Sequence, residues 1–400
     1  MASPEIGFDP FLPEFNANPY PFYHRLREAD PVHESPLGFW VLTRYDDCVM
    51  ALRDQRFGRA GFEGFLDQVY GGATEQDRLP RSMLFRDPPD HTRLRALVNR
   101  AFTPRVVDGL RPRIQAIVDD LLDRVERTKA MDVISDLAYP LPVLVISEML
   151  GVPAGDNDTI KQWSADIARS LDAIGLPADA GIVERGRAGR RALGEYFRGL
   201  IPERRKNPRN DLLSLLLAAE EQGDKLTEGE LLATCVLLYI AGHETTVNLI
   251  GNGLLALLRH PAELERLRKD PSLIQSAVEE LLRYDGPVQR TARTTNTEME
   301  IGGKKIDKGV MVVPLIGAAN RDPAHFPDPD RLDVARPDNR HIAFGFGIHF
   351  CLGAPLARLE AQIALGTLAR RMPGLALATE TPEWRESQVL RGLQALPVTF

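Results

Sequence analysis

Cysteine is scarce in this chain: Cys48, Cys235 and Cys351 are the only three among 400 residues. Thiols so few and so scattered exclude a disulfide framework or a zinc site and predict a reducing, cytoplasmic setting. Excess positive charge is missing as well, and a net charge of -7 argues against a general nucleic-acid binder. The first thirty residues contain no basic region followed by an apolar run, so neither a secretory signal nor a membrane anchor is expected. Only residues 231–258 are long and apolar enough to suggest a membrane span, and His243, Glu244, Thr245, Thr246, Asn248 and Asn252 fall in their middle, where lipid would penalise each one. A helix buried through protein fits that stretch better. The chain also lacks a Gly-rich dinucleotide fingerprint, a cysteine set for an iron-sulfur cluster, internal repeats and linkers.

What remains is 44% hydrophobic and 26% charged, an ordinary globular composition. Residues 40–54 read as a strand followed by a helix, and the Gly-rich residues 58–87 as a long loop. Helical periodicity then runs over 93–102, 104–126, 140–150 ending at Gly151, and 156–206 in pieces. Thr227 and Glu230 form a capping box that opens a long helix, and His260-Pro261 closes it. About 32 residues at 1.5 Å each give roughly 48 Å, enough to cross a whole domain. A helix over 271–284, a small antiparallel sheet over 290–322 and a last helix over 354–372 complete one mainly helical domain with a minor β-rich portion.

The most specific segment is FGFGIHFCLG, residues 344–353. A lone cysteine among glycines and aromatics suits a thiolate presented to a haem iron. Gly345, Gly347 and Gly353 permit close backbone approach, Phe344 and Phe350 offer a dry flat surface, and His349 is a donor for a propionate. The second segment is AGHETT, residues 241–246, in the middle of the long helix. Ala241 and Gly242 are small enough for a flat group to lie against them, and Gly242 with the threonines predicts local helix distortion. Glu244 and Thr245 set an acid beside an alcohol, the parts of a proton relay.

These motifs, F-x-x-G-x-H-x-C-x-G and A-G-x-[DE]-T, resemble those of the cytochrome P-450 family, the haem-thiolate monooxygenases, in their soluble bacterial branch. The resemblance covers nearly the whole chain and implies the single-domain P-450 fold, heme b with Cys351 as iron ligand, and Thr245 with Glu244 as the oxygen-activation pair. It implies a structural ion pair between Glu280 and Arg283, with Arg331 or Arg336 as third member. His91, Arg95, Arg293 and His349 become propionate partners, with Phe344, Gly345 and Ala241 against the macrocycle. Substrate contacts are expected from 58–85, from helices within 163–190, and from Ala241, Thr245, Val288, Gln289, Val389 and Leu390. The implied activity is insertion of one atom of dioxygen into a C-H bond of a bulky apolar molecule such as a macrolide, polyketide, terpenoid or steroid-like compound. With no reductase fused, electrons come from a ferredoxin or flavodoxin and its NAD(P)H reductase, steered by a basic patch that includes Arg95, Arg100 and Arg358. A monomer is expected. A peroxide-driven peroxygenase and a non-catalytic haem sensor or carrier are the alternatives.

Overall fold

The computed structural model describes residues 10–59, 80–173, 179–221 and 226–400. It is mainly helical with small sheets, and the chain divides into two compact units within the one fold. The first comprises Met1–Phe57, Val107–Leu141 and Thr245–Phe400, and the second Gly58–Val106 and Pro142–Glu244.

The first unit carries the sheets. Val32–Glu34 and Trp40–Leu42 form a hairpin with Val41 opposite His33. Met311–Pro314 then lies parallel to Trp40–Leu42, and Arg293–Thr295 antiparallel to Met311–Pro314. Within the stretch expected to form a small antiparallel sheet the pairings are antiparallel, while the parallel pairing joins it to a strand about 270 residues away and leaves no local signature. Met299–Ile301 and Lys304–Ile306 turn through Gly302 and Gly303 at φ +58° and +78°, a two-residue connection that side chains resist. Val32, Leu42, Val312, Ile301 and Ile306 pack with the helix Tyr45–Arg53 into one core cluster.

The long helix spans Glu228–Arg259, 32 residues, with the boundaries its caps predict. Thr227 N–H donates to Glu230 Oε2 at 3.1 Å and Glu230 N–H to Thr227 Oγ1 at 3.2 Å, the reciprocal capping box. The helix runs as α-helix throughout, with no 3-10 or π turn at Gly242. Pro261 closes it but also opens a further helix, Pro261–Lys269, at a position where a missing N–H costs nothing. The predicted run 104–126 divides into Pro104–Gly109 and Arg111–Val125. In the proline-rich start, two short helices form, Pro13–Ala17 and Tyr20–Ala29, each with proline in its first turn. No helix among the described residues is long and apolar enough to cross a membrane.

Candidate active site

In the first unit, residues 342–354 fold back on themselves as a short hairpin-like loop. Gly345 N–H donates to Ile342 O at 2.8 Å, Phe350 N–H to Gly347 O at 3.0 Å and Cys351 N–H to Phe344 O at 2.9 Å. Gly345 and Gly347 take φ of +72° and +71°, and a Cβ on Gly347 would stand 2.7 Å from the carbonyl oxygen of Leu52. Glycine is required there on both counts. The loop leaves Cys351 exposed, whereas Cys48 and Cys235 are buried. Burial pushes the Cys48 thiol well up and the Cys235 thiol up to about 12, which keeps both as inert hydrophobes. Phe346, Ile348 and Phe350 present apolar surface beside the thiol.

The loop is anchored from behind. Ile342 N–H donates to Asn320 Oδ1 at 2.8 Å and Ala343 N–H to His341 Nδ1 at 3.2 Å, so Nε2 of His341 carries the proton that meets Glu279 at 3.0 Å. Arg358 grips the same carboxylate at 2.7 and 2.8 Å and lies over the Phe344 ring at 4.5 Å. Burial opposes ionisation of Glu279, but His341 and Arg358 outweigh it and hold the carboxyl at about 2. Arg358 is thus neutralised by Glu279 and adds little to the basic patch expected from it; Arg100 is exposed and Arg95 half-buried.

On the long helix, Ala241 is exposed and Thr245, one turn on, is half-buried, while His243, Glu244 and Thr246 between and beside them are buried. Ala241 therefore offers the accessible small surface. Gly242 has a different reason to be small, because a Cβ there would stand 2.9 Å from Ile146 of the helix Pro140–Leu150. His243 Nε2 lies 3.5 Å from Glu244 Oε1 and 3.0 Å from Ser164 Oγ.

Of the four expected propionate partners, His91 and Arg95 stand one turn apart on Asp90–Asn99 in the second unit, and Arg293 and His349 belong to the first. Burial, then Arg95 and Arg59, pulls His91 below its ordinary value. Arg59 is a buried cation that sequence reasoning passed over; its backbone N–H meets the Asp87 carboxylate at 2.8 and 3.0 Å. Nothing in its local pattern marked it. Arg293 is buried and donates to Ala292 O at 2.8 Å.

The Cytochrome P-450 family model matches residues 190–373. The polyketide biosynthesis cytochrome P-450 PksS of Bacillus subtilis is 42% identical, over 99% of each chain. The vitamin D(3) 25-hydroxylase of Pseudonocardia autotrophica is 44% identical, over 98% of this chain and 96% of that one. The chain belongs to the cytochrome P-450 family. The crystal structure of CalO2 superposes with a TM-score of 0.93 at 38% identity, covering 99% of both chains, so the fold is that of a P-450 as well.

A P-450 is a haem monooxygenase, and the residues present fit that group. One exposed thiol on a glycine-shaped loop, flanked by apolar side chains, is the donor set that a single-thiolate iron site requires. Behind it the Glu280–Arg283 pair is fully buried, with Nε to Oε2 at 2.7 Å and Nη2 to Oε1 at 2.8 Å. Arg336 is the third member, its Nε 3.1 and 3.0 Å from the two Glu280 oxygens. Arg331 supplies its carbonyl oxygen to Arg283 and Arg336 and turns its own side chain toward Asp333. Asn339 Nδ2 donates to Glu280 at 3.1 Å, a further member that sequence reasoning missed.

The expected substrate segments of the first unit do meet. Val288 bridges Leu390, Gln289 N–H donates to Val389 O at 3.0 Å and Arg391 N–H to Pro287 O at 2.8 Å. Gln289 is buried, with its amide engaged by the phenols of Tyr20 and Tyr23 and by Gly286 O. The expected loop 58–85 lies outside the described residues over 60–79, and the stretch 163–190 over 174–178.

Proposed function

We propose that this P-450 hydroxylates bulky, mainly apolar small molecules of the macrolide, polyketide, terpenoid or steroid-like kind, with heme b held by Cys351 and electrons from a separate ferredoxin or flavodoxin system in the cytoplasm. The observation that carries the reading is the exposed Cys351 on its glycine-shaped loop in a chain whose other two thiols are buried. When bound, haem with a thiolate ligand supplies activation of dioxygen for insertion into a C-H bond. One oxygen atom enters the substrate and the other leaves as water, which takes two electrons and two protons.

The protein's share is to hold, shield and protonate. Cys351 supplies the thiolate; Phe344 and Phe350 keep its surroundings dry; His91, Arg95, Arg293 and His349 are cations and donors for the two propionates. Thr245 presents its hydroxyl on the accessible face of the helix and passes protons that Glu244 draws from water. Ala241, Val288, Val389 and Leu390 give the substrate apolar surface, so affinity comes mainly from burial. Names among the relatives, polyketide biosynthesis and a vitamin D(3) hydroxylase, support a large apolar substrate.

The test is a spectral titration followed by turnover with a surrogate ferredoxin and reductase. Macrolactones, terpenoids and steroids should shift the ferric haem from low to high spin and yield hydroxylated product, while small polar acids and sugars should not. Cys351→His should abolish the red-shifted Soret band of the reduced carbonyl complex, and its survival would sink the ligand assignment. Thr245→Ala should leave haem binding intact and divert NADPH from product to hydrogen peroxide. Turnover with peroxide alone would favour the peroxygenase alternative.

A further inference from the structure

We propose that Asn248 is a positioning residue, and that its fit against Gly392 sets where the turn carrying Val389 and Leu390 stands relative to Thr245. The inference rests on the reading of Val389 and Leu390 as apolar surface for the substrate and deepens it. Thr245, Asn248 and Asn252 follow at i, i+3 and i+7 along Glu228–Arg259, so they share one face of the helix. Arg391 and Gly392 lie against the last two of them. Asn252 Nδ2 donates to Arg391 O at 3.0 Å and to Asp285 O at 3.3 Å. A Cβ on Gly392 would stand 1.9 Å from Asn248 Oδ1, 2.3 Å from its Cγ and 2.8 Å from its Nδ2. The φ of Gly392 is not positive, so close approach of the amide, rather than backbone conformation, is what requires a glycine there.

An amide is an unfavourable filler for this space. Asn248 is buried, at 2% exposure, and its Oδ1 has no hydrogen-bond partner among the described residues, so the oxygen loses water without replacement. What the amide contributes is shape. Its trigonal Cγ lets a flat group lie on the Gly392 backbone, where a branched aliphatic side chain would hold that backbone off. Turned over, the amide would cover Gly392 with the same plane, so the contact is set by form and not by which atom faces the glycine.

The turn is held on both sides. Arg385 N–H donates to Gly392 O at 2.9 Å and Trp384 bridges Leu393, which makes a hairpin with Gln388, Val389 and Leu390 in its connection. Arg391 is fixed on the outer side by Asp285, Asn16 O and Ala17 O. The helix has no room to yield: a Cβ on Gly251 would stand 2.6 Å from Ile134 Cδ1, and one on Gly253 3.1 Å from Leu281 Cδ1. Asn248 is short and enclosed and has nowhere to swing. A change of volume between Asn248 and Gly392 is therefore taken up by the turn pivoting on Arg391, and Val389 and Leu390 move with it. Val389 and Thr245 are both half-buried, so their separation bounds the space left to a ligand.

The test measures that space with nitrogen ligands of two sizes in the ferric holoenzyme. The affinity for 4-phenylimidazole relative to imidazole should change severalfold in N248A, where the turn settles toward the helix, and in G392A, where it is pushed off. In N248A/G392A a methyl takes the space that the amide leaves, and the ratio should return to the wild-type value. Where G392A does not retain haem, wild type, N248A and the double variant decide by themselves. A ratio unchanged in the single variants, or not restored in the double variant, overturns the proposal. Lowered thermal stability with an unchanged ratio is what a merely structural contact would give, and overturns it equally. The azole ratio does not depend on substrate class. Macrolactones and steroids that give no spin shift in wild type would overturn the proposed substrate class, while the ratio still decides the role of Asn248.

Discussion

Residues bound by chemistry were the most legible. The ten residues around Cys351 read as a glycine-shaped loop with apolar neighbours, and the loop that forms does leave its thiol exposed; the acid beside an alcohol at Glu244 and Thr245 does stand on the long helix. The tyrosines that hold the Gln289 amide lie more than 260 residues away in the chain, so no local pattern could reveal them. Glu360 shows the opposite case, a residue with no motif and a large consequence. It is buried on Ala354–Arg371, its Oε2 has no hydrogen-bond partner, and burial pushes its carboxyl well above the ordinary range. The folded protein then binds a proton that the unfolded chain releases above about 4.3. Stability from this site is fully present below that pH and declines as pH rises toward the folded value. Glu360→Gln should flatten the decline and raise stability at pH 7, read from holoenzyme denaturation at pH 5 and pH 7.

At the scale of elements, helices with caps and 3.6-residue periodicity were read to within a few residues, as Glu228–Arg259 shows. Pro261 was legible as a terminator but not as an initiator, since the same ring closes one helix and opens the next. Arg331 and Arg336 could not be told apart because both sit in one irregular stretch, and only its folding decides which guanidinium reaches Glu280. The assignment predicts an asymmetry. Arg336→Ala leaves Glu280 and Arg283 buried with one partner fewer and should cost about 3–5 kcal/mol, with loss of haem during denaturant titration. Arg331→Ala, at an exposed side chain, should stay within about 0.5 kcal/mol. Equal losses in the two variants would contradict the geometry.

For the molecule as a whole, the first unit is assembled from the beginning, the middle and the end of the chain, whereas the second closes within residues 58–244. Arg391 ties the pieces together: its guanidinium holds Asp285 at 2.7 Å, reaches Asn16 O at 2.7 Å and Ala17 O at 3.1 Å, and stacks over Trp384 at 3.4 Å. Contacts this distant in sequence form late, because loop closure is unfavourable until both ends exist. On the ribosome, residues 10–57 are made long before Arg391, so the contacts of Asn16 and Ala17 with it must wait for that residue. A chain arrested near residue 300 should therefore shield the second unit from protease while the N-terminal segment is cleaved, and deletion of residues 391–400 should yield protein that never retains haem although Cys351 and its loop are all present. The contacts that join Asn16 and Ala17 to Arg391 close only after nearly all the residues between them have been made.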